Sequence, residues 1–158
     1  MLKELDKKLL AASEKGSVDD IQNLLKDGAD INAKDEYGVS AIHLATQGNH
    51  IEAVQELLAQ KANIDSITTD GLTALHFAAR KGYLEISVAL LKNGANANIK
   101  GFRYGRTPLH YAAEQGHSKV VLSLLMAGSD KDLLDLVGNK ACDLANKNAY
   151  FSTSNLLI

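Results

Sequence analysis

The residues of this chain best suited to hold a metal or carry nucleophilic chemistry are His43, His76 and His110, together with its single cysteine, Cys142. Each histidine follows a Ser or Thr by three residues and precedes a small-residue run: Ser40-Ala41-Ile42-His43-Leu44-Ala45, Thr73-Ala74-Leu75-His76-Phe77-Ala78-Ala79 and Thr107-Pro108-Leu109-His110-Tyr111-Ala112-Ala113. If the three segments are equivalent helices in successive layers, their axes stand about 8–10 Å apart. One zinc ion, with its ligands at about 2 Å, cannot then be reached from all three. A Cys–His nucleophile pair fails because Cys142 falls where Leu75 and Leu109 should enter a core, and Asp143 stands where the histidine would be. The loop Gly101-Phe102-Arg103-Tyr104-Gly105-Arg106-Thr107 is no phosphate loop either, since its glycine spacing is wrong and it lacks the lysine before the hydroxyl residue. No serine sits in a Gly-x-Ser-x-Gly turn. The sequence therefore predicts no catalytic residue, no metal, no cofactor and no enzyme activity.

What positions these residues is a repeat. The three segments share a register that continues through Leu24-Leu25, Leu57-Leu58, Leu90-Leu91 and Leu124-Leu125, and through the turns Gly28-Ala29-Asp30-Ile31-Asn32 and Gly94-Ala95-Asn96-Ala97-Asn98. The period is 33 residues, and it runs from Lys7-Lys8-Leu9-Leu10 to Lys140-Ala141-Cys142-Asp143. Period and motif resemble the ankyrin repeat. The resemblance implies an all-α repeat fold: a solenoid of stacked helix-turn-helix units with projecting β-hairpin fingers. It further implies that the motif histidine hydrogen-bonds to the Ser or Thr before it and to neighbouring backbone. The chain is read as a single domain, 1–158, with repeats at approximately 1–35, 36–68, 69–102, 103–135 and 136–158.

The residues explain each unit locally. Thr107 can cap a helix that Pro108 opens, because proline's missing N–H is no loss at the first helical position. Leu109, Ala112 and Ala113 form a narrow apolar stripe whose small residues let the next layer approach, and Gly116 ends the helix. Val120, Val121, Leu124 and Leu125 give a second helix the same spacing. Isolated units of this size cannot bury both faces, so stacking must supply stability. Polar residues such as Lys3, Asp6 and Glu14 at one end, and Lys140, Asp143, Asn146, Lys147 and Asn148 at the other, are expected to face outward on capping units. Asn49 and Lys61 stand at turn positions held elsewhere by glycine, and the finger containing Phe102 to Arg106 has one residue more than its counterparts.

Composition narrows the partners. Seventeen basic against nineteen acidic residues give a net charge of −2, which provides no general attraction to nucleic acid. No apolar run reaches signal-peptide or membrane-span length, and a lone cysteine fits a reducing setting, so a cytoplasmic or nuclear protein without membrane insertion is expected. Charge is unevenly placed: residues 36–70 carry one basic and five acidic side chains, residues 71–104 five basic and one acidic.

The resemblance implies a protein-interaction module, expected as a monomer, that binds a protein or peptide across a concave face of finger tips and first helices. The partner-facing positions it assigns are Glu36, Tyr37, Val39 and Gln47, then Thr69, Asp70, Leu72, Arg80 and Lys81, then Phe102, Arg103, Tyr104, Arg106, Glu114 and Gln115. Phe102 to Arg106 rank first, since Tyr and Arg anchor interfaces disproportionately. Leu133, Leu134, Leu136 and Val137 make the following finger either a packed cap or an exposed apolar strip. A spacer within a longer array, and an inhibitor covering an enzyme or transcription factor, are the competing functions. Asn32 also resembles repeat asparagines that are hydroxylated in animal cells.

Overall fold

The computed structural model describes residues 2–158, which form ten helices and no strand. They come in pairs: α1 (Glu4–Lys15) with α2 (Val18–Lys26), α3 (Ala41–Gln47) with α4 (Ile51–Ala59), α5 (Ala74–Lys81) with α6 (Leu84–Lys92), α7 (Pro108–Glu114) with α8 (Ser118–Met126), and α9 (Ala141–Lys147) with α10 (Phe151–Asn155). The first helices of the pairs pack in one row and the second helices in another. Helices this short are marginal alone in water. They persist because the first row presents Ala41, Ala45, Ala74, Ala78, Ala79, Ala112 and Ala113, all fully buried, against the next layer. The second row fills the remaining space with Ile21, Val54, Leu57, Ile86, Leu90, Val121 and Leu124, also fully buried.

The turns inside the pairs need a left-handed residue. Gly82, with φ of 73°, also lies so close to the next layer that a Cβ there would stand 2.6 Å from the His117 ring. Asn49 takes the corresponding turn at φ 58°, as its side chain allows, and so does Ala149 at φ 62°, which nothing in its chemistry announces. Lys61 takes the turn after α4 at φ 66°, where Gly94 has 89° in an open environment with nothing within 4 Å of an added Cβ. Lys61→Gly is accordingly expected to stabilise the protein by about 0.5–1 kcal/mol, measured as a raised urea midpoint at unchanged slope.

The fingers are tight loops, each closed across its base by a main-chain hydrogen bond (Asp35 N–H to Val39 O, Thr68 N–H to Leu72 O, Gly101 N–H to Arg106 O, and Asp135 N–H to Asn139 O) and tightened inside by a second from the finger glycine, Gly38, Gly71, Gly105 or Gly138, to the residue at the start. The additional residue of the third-to-fourth finger is absorbed between Gly101 and Arg106. Strand pairing goes no further than an isolated antiparallel bridge between Lys34 and Ser40 among the described residues.

Two expectations are corrected at the ends of the stack. Asp6 does not face outward but is buried, and its Oδ1 accepts the Asp30 N–H at 2.8 Å. Cys142 is not buried like Leu75 and Leu109 but half-exposed, because the chain described here places no further layer over α9. Asp143, in the histidine's place, accepts the Lys140 N–H at 2.8 Å and so still closes the helix start.

Candidate functional site

The motif histidines are structural fasteners. His76 Nδ1 accepts the Thr73 N–H at 3.0 Å and lies 2.9 Å from Thr73 Oγ1, while its Nε2 meets the carbonyl of Arg106, in the next finger, at 3.1 Å. A ring nitrogen facing a carbonyl must carry the proton, so Nε2 donates and Nδ1 accepts. His43 repeats the pattern toward Leu72 O at 3.2 Å, and His110 toward Asn139 O at 3.1 Å. Burial drives the pKa of His43 and of His76 down to about 4, the hydrogen bonds to neighbouring carbonyls opposing it only in part, and lowers that of His110. Neutral rings with both nitrogens occupied have no lone pair left for a metal.

His50 and His117 open the second helices and turn back onto the preceding layer. Their Nε2 atoms meet Glu14 O at 2.9 Å and Arg80 O at 3.1 Å, and Asn148 Nδ2 donates to Glu114 O at 2.7 Å. These contacts serve carbonyls at the ends of first helices, which have no partner within their own helix.

The fingers are tied to one another through the main chain. Thr69 N–H donates to Tyr37 O at 2.9 Å, Phe102 N–H to Asp70 O at 2.7 Å, and Leu136 N–H to Tyr104 O at 2.9 Å. Close approach is possible because glycines lie underneath. A Cβ on Gly71 would stand 2.7 Å from the Phe102 ring, and one on Gly105 2.8 Å from Leu136. Phe102 thus rests on the preceding finger and still exposes 63% of its surface. Leu134, Leu136 and Val137 are exposed, at 46%, 70% and 79%, and form an apolar strip, while Leu133 is half-buried.

The expected partner-facing residues gather on this surface to different degrees. Glu36, Tyr37, Gln47, Thr69, Asp70, Arg80, Lys81, Phe102, Arg103, Tyr104 and Gln115 are exposed; Val39, Leu72, Arg106 and Glu114 are half-buried. Tyr37, Val39, Thr69, Asp70, Leu72 and Arg80 line a shallow groove of about 320 Å³, joined by Thr68 and Phe77. Phe77, and Tyr111 one layer on, were not among the expected residues. Each directly follows a motif histidine, and each histidine ring meets the next layer's aromatic edge-on: His43 with Phe77 and His76 with Tyr111, both at 5.9 Å between centres.

Arg106 organises the fourth layer. Its Nη1 holds both carboxylate oxygens of Glu114, at 2.9 and 3.0 Å, and its Nε lies 3.5 Å from Asp135 Oδ2. Burial pushes the Asp135 carboxyl upward, but the N–H groups of Asn139 and Val137, the Asn139 amide and Arg106 outweigh it and hold the group below its ordinary value. The guanidinium of Arg106 also lies 5.3 Å from the Tyr104 ring centre and 5.9 Å from that of Tyr111. Tyr104 receives Arg103 as well, at 5.2 Å. Burial raises the Tyr111 hydroxyl pKa, which keeps that group neutral.

A family model described as ankyrin repeats (3 copies) matches residues 9–101 and, overlapping, 70–135. No curated protein matches the sequence.

Proposed function

We propose, from the premise that the chain belongs to the ankyrin-repeat family, that it is a non-catalytic binding module which holds a partner protein or peptide across its finger tips and first helices. Ankyrin repeats generally mediate protein–protein interaction. Residues 1–158 act as one domain and as a monomer, and the cytoplasm or nucleus is the setting the lone cysteine suits. No described helix is long and apolar enough to cross a membrane.

The observation that carries this reading is the exposed Phe102-Arg103-Tyr104 tip on a loop held from three sides. Phe102 N–H is bonded to the finger before, Tyr104 O accepts from the finger after, and the His76 ring holds Arg106 O from beneath. Side chains presented by a rigid loop lose little further freedom on binding, and large aromatic and guanidinium groups supply most interface energy.

Affinity capture from lysate with the wild type and with Phe102→Ala/Arg103→Ala/Tyr104→Ala tests it. Loss of a captured protein in the triple variant, at an unchanged melting temperature, is the expected result. Equal capture by both moves the site off this finger; capture by neither counts against the binding reading.

A further inference from the structure

The surface of finger tips and first helices carries a row in which guanidinium and aromatic groups alternate. Arg80 lies 5.9 Å from the Phe77 ring centre, Arg106 bridges Tyr111 and Tyr104, and Arg103 closes the row over Tyr104. The charges in this row are not equivalent. Arg106 is neutralised by Glu114 and Asp135, whereas Arg80 and Arg103 have no carboxylate within 4 Å among the described residues. Both are exposed, as is Lys81 beside Arg80. Asp70 lines the same groove as Arg80 without pairing with it. The acidic side chain best placed to neutralise the fourth layer, Glu114, is already committed to Arg106.

We propose that this face takes an extended acidic segment of a partner polypeptide, an inference that rests on the binding reading above. An apolar side chain of the segment occupies the groove between Tyr37, Val39, Leu72 and Phe77, and its carboxylates reach Arg80 and Arg103. Guanidinium groups lying over aromatic rings keep their edge N–H donors available and are held for bidentate contact with carboxylates. The unbalanced cations Arg80, Lys81 and Arg103 would also steer such a segment, while Glu36 in the second repeat and Asp70 at the start of the third keep its acidic part toward the Arg103 side. A polypeptide is favoured over a polynucleotide because the groove offers Tyr37, Val39, Leu72 and Phe77 as apolar surface beside its polar residues, and because the basic excess is confined to residues 71–104.

A library of random linear peptides selected against the wild-type protein distinguishes the possibilities. Enriched peptides are expected to pair Asp or Glu with a large apolar residue. Their affinity should fall about tenfold or more in Arg80→Glu/Arg103→Glu, and should fall with added salt. Lys92→Glu/Lys119→Glu makes the same change in net charge on the second helices and should leave affinity unchanged; melting curves establish that both variants fold. Enriched peptides without acidic residues, clones indifferent to the Arg80/Arg103 reversal, an equal loss in the Lys92/Lys119 control, or displacement by a single-stranded oligonucleotide would each overturn the acidic-segment inference. In the first two cases, loss of the same clones in the Phe102/Arg103/Tyr104 triple variant leaves the binding reading standing. Failure to enrich any peptide overturns the acidic-segment inference and counts against the binding reading as well, a failure that lysate capture by the wild type would then confine to linear peptides.

Discussion

Acidification from pH 7 to pH 4 should remove up to about 6 kcal/mol of folding stability through His43 and His76 alone, roughly 3 kcal/mol each. Both imidazoles are essentially inaccessible to water, and burial lowers each pKa from 6.5 to about 4. The folded state therefore holds them neutral, while the unfolded chain takes up protons as the pH falls through 6.5. Stability is complete above that value, declines between 6.5 and 4, and loses nothing more from these two groups below. His110 acts in the same direction. Asp135, held below its ordinary value, contributes a further loss only as the pH falls beneath the carboxylate range. Since a domain's net stability is about 5–15 kcal/mol, the protein should be close to unfolding near pH 4. Urea titrations at intervals from pH 7 to pH 4 measure this directly, and a stability that stays flat down to pH 5 would show that the rings are not held neutral.

Leu90→Ala is expected to cost about 2–5 kcal/mol, because Leu90 is fully buried at the centre of the second row and its loss leaves a cavity that short, doubly packed helices cannot close. Leu157→Ala, nearly as well buried at 4% exposure, should cost distinctly less. Its surroundings have a layer on one side only, and in a stack stabilised by nearest neighbours the last unit can fray without uncoupling the rest. Hydrogen exchange separates the two cases: the central substitution should raise exchange throughout the stack, the terminal one only over α9 and α10. Equal and global effects would mean that the five layers unfold as one cooperative body.

Much of this architecture is legible in the sequence because a repeat states the same instruction several times. The cap at Thr107, the stop at Gly116 and the paired leucines of the second helices each recur in register, and the helices lie where that register puts them. The fastening role of His43, His76 and His110 comes from the resemblance to ankyrin repeats, and the register shows only that the three are equivalent. What escaped depends on neighbours that no single unit specifies. Cys142 has the alignment of a core residue and lacks the covering layer; Asp6 has the chemistry of a surface residue and meets the Asp30 amide. Ala149 adopts a left-handed conformation that its side chain does not favour, since the turn is imposed by the helices on either side. At the surface, Phe77 and Tyr111 could have been found from their place directly after the motif histidines, whereas the capture of Arg106 by Glu114, eight residues on, required the fold.

The histidine joints end on main-chain carbonyls, Leu72 O, Arg106 O and Asn139 O, and not on any side chain. A fastener of that kind is indifferent to the identity of the residue it grips. As far as these joints are concerned, a changed side chain at the gripped position needs no compensating change in the histidine layer beneath. The inheritance of the scaffold is thereby separated from that of its recognition surface, leaving the latter free to diverge at little risk to folding.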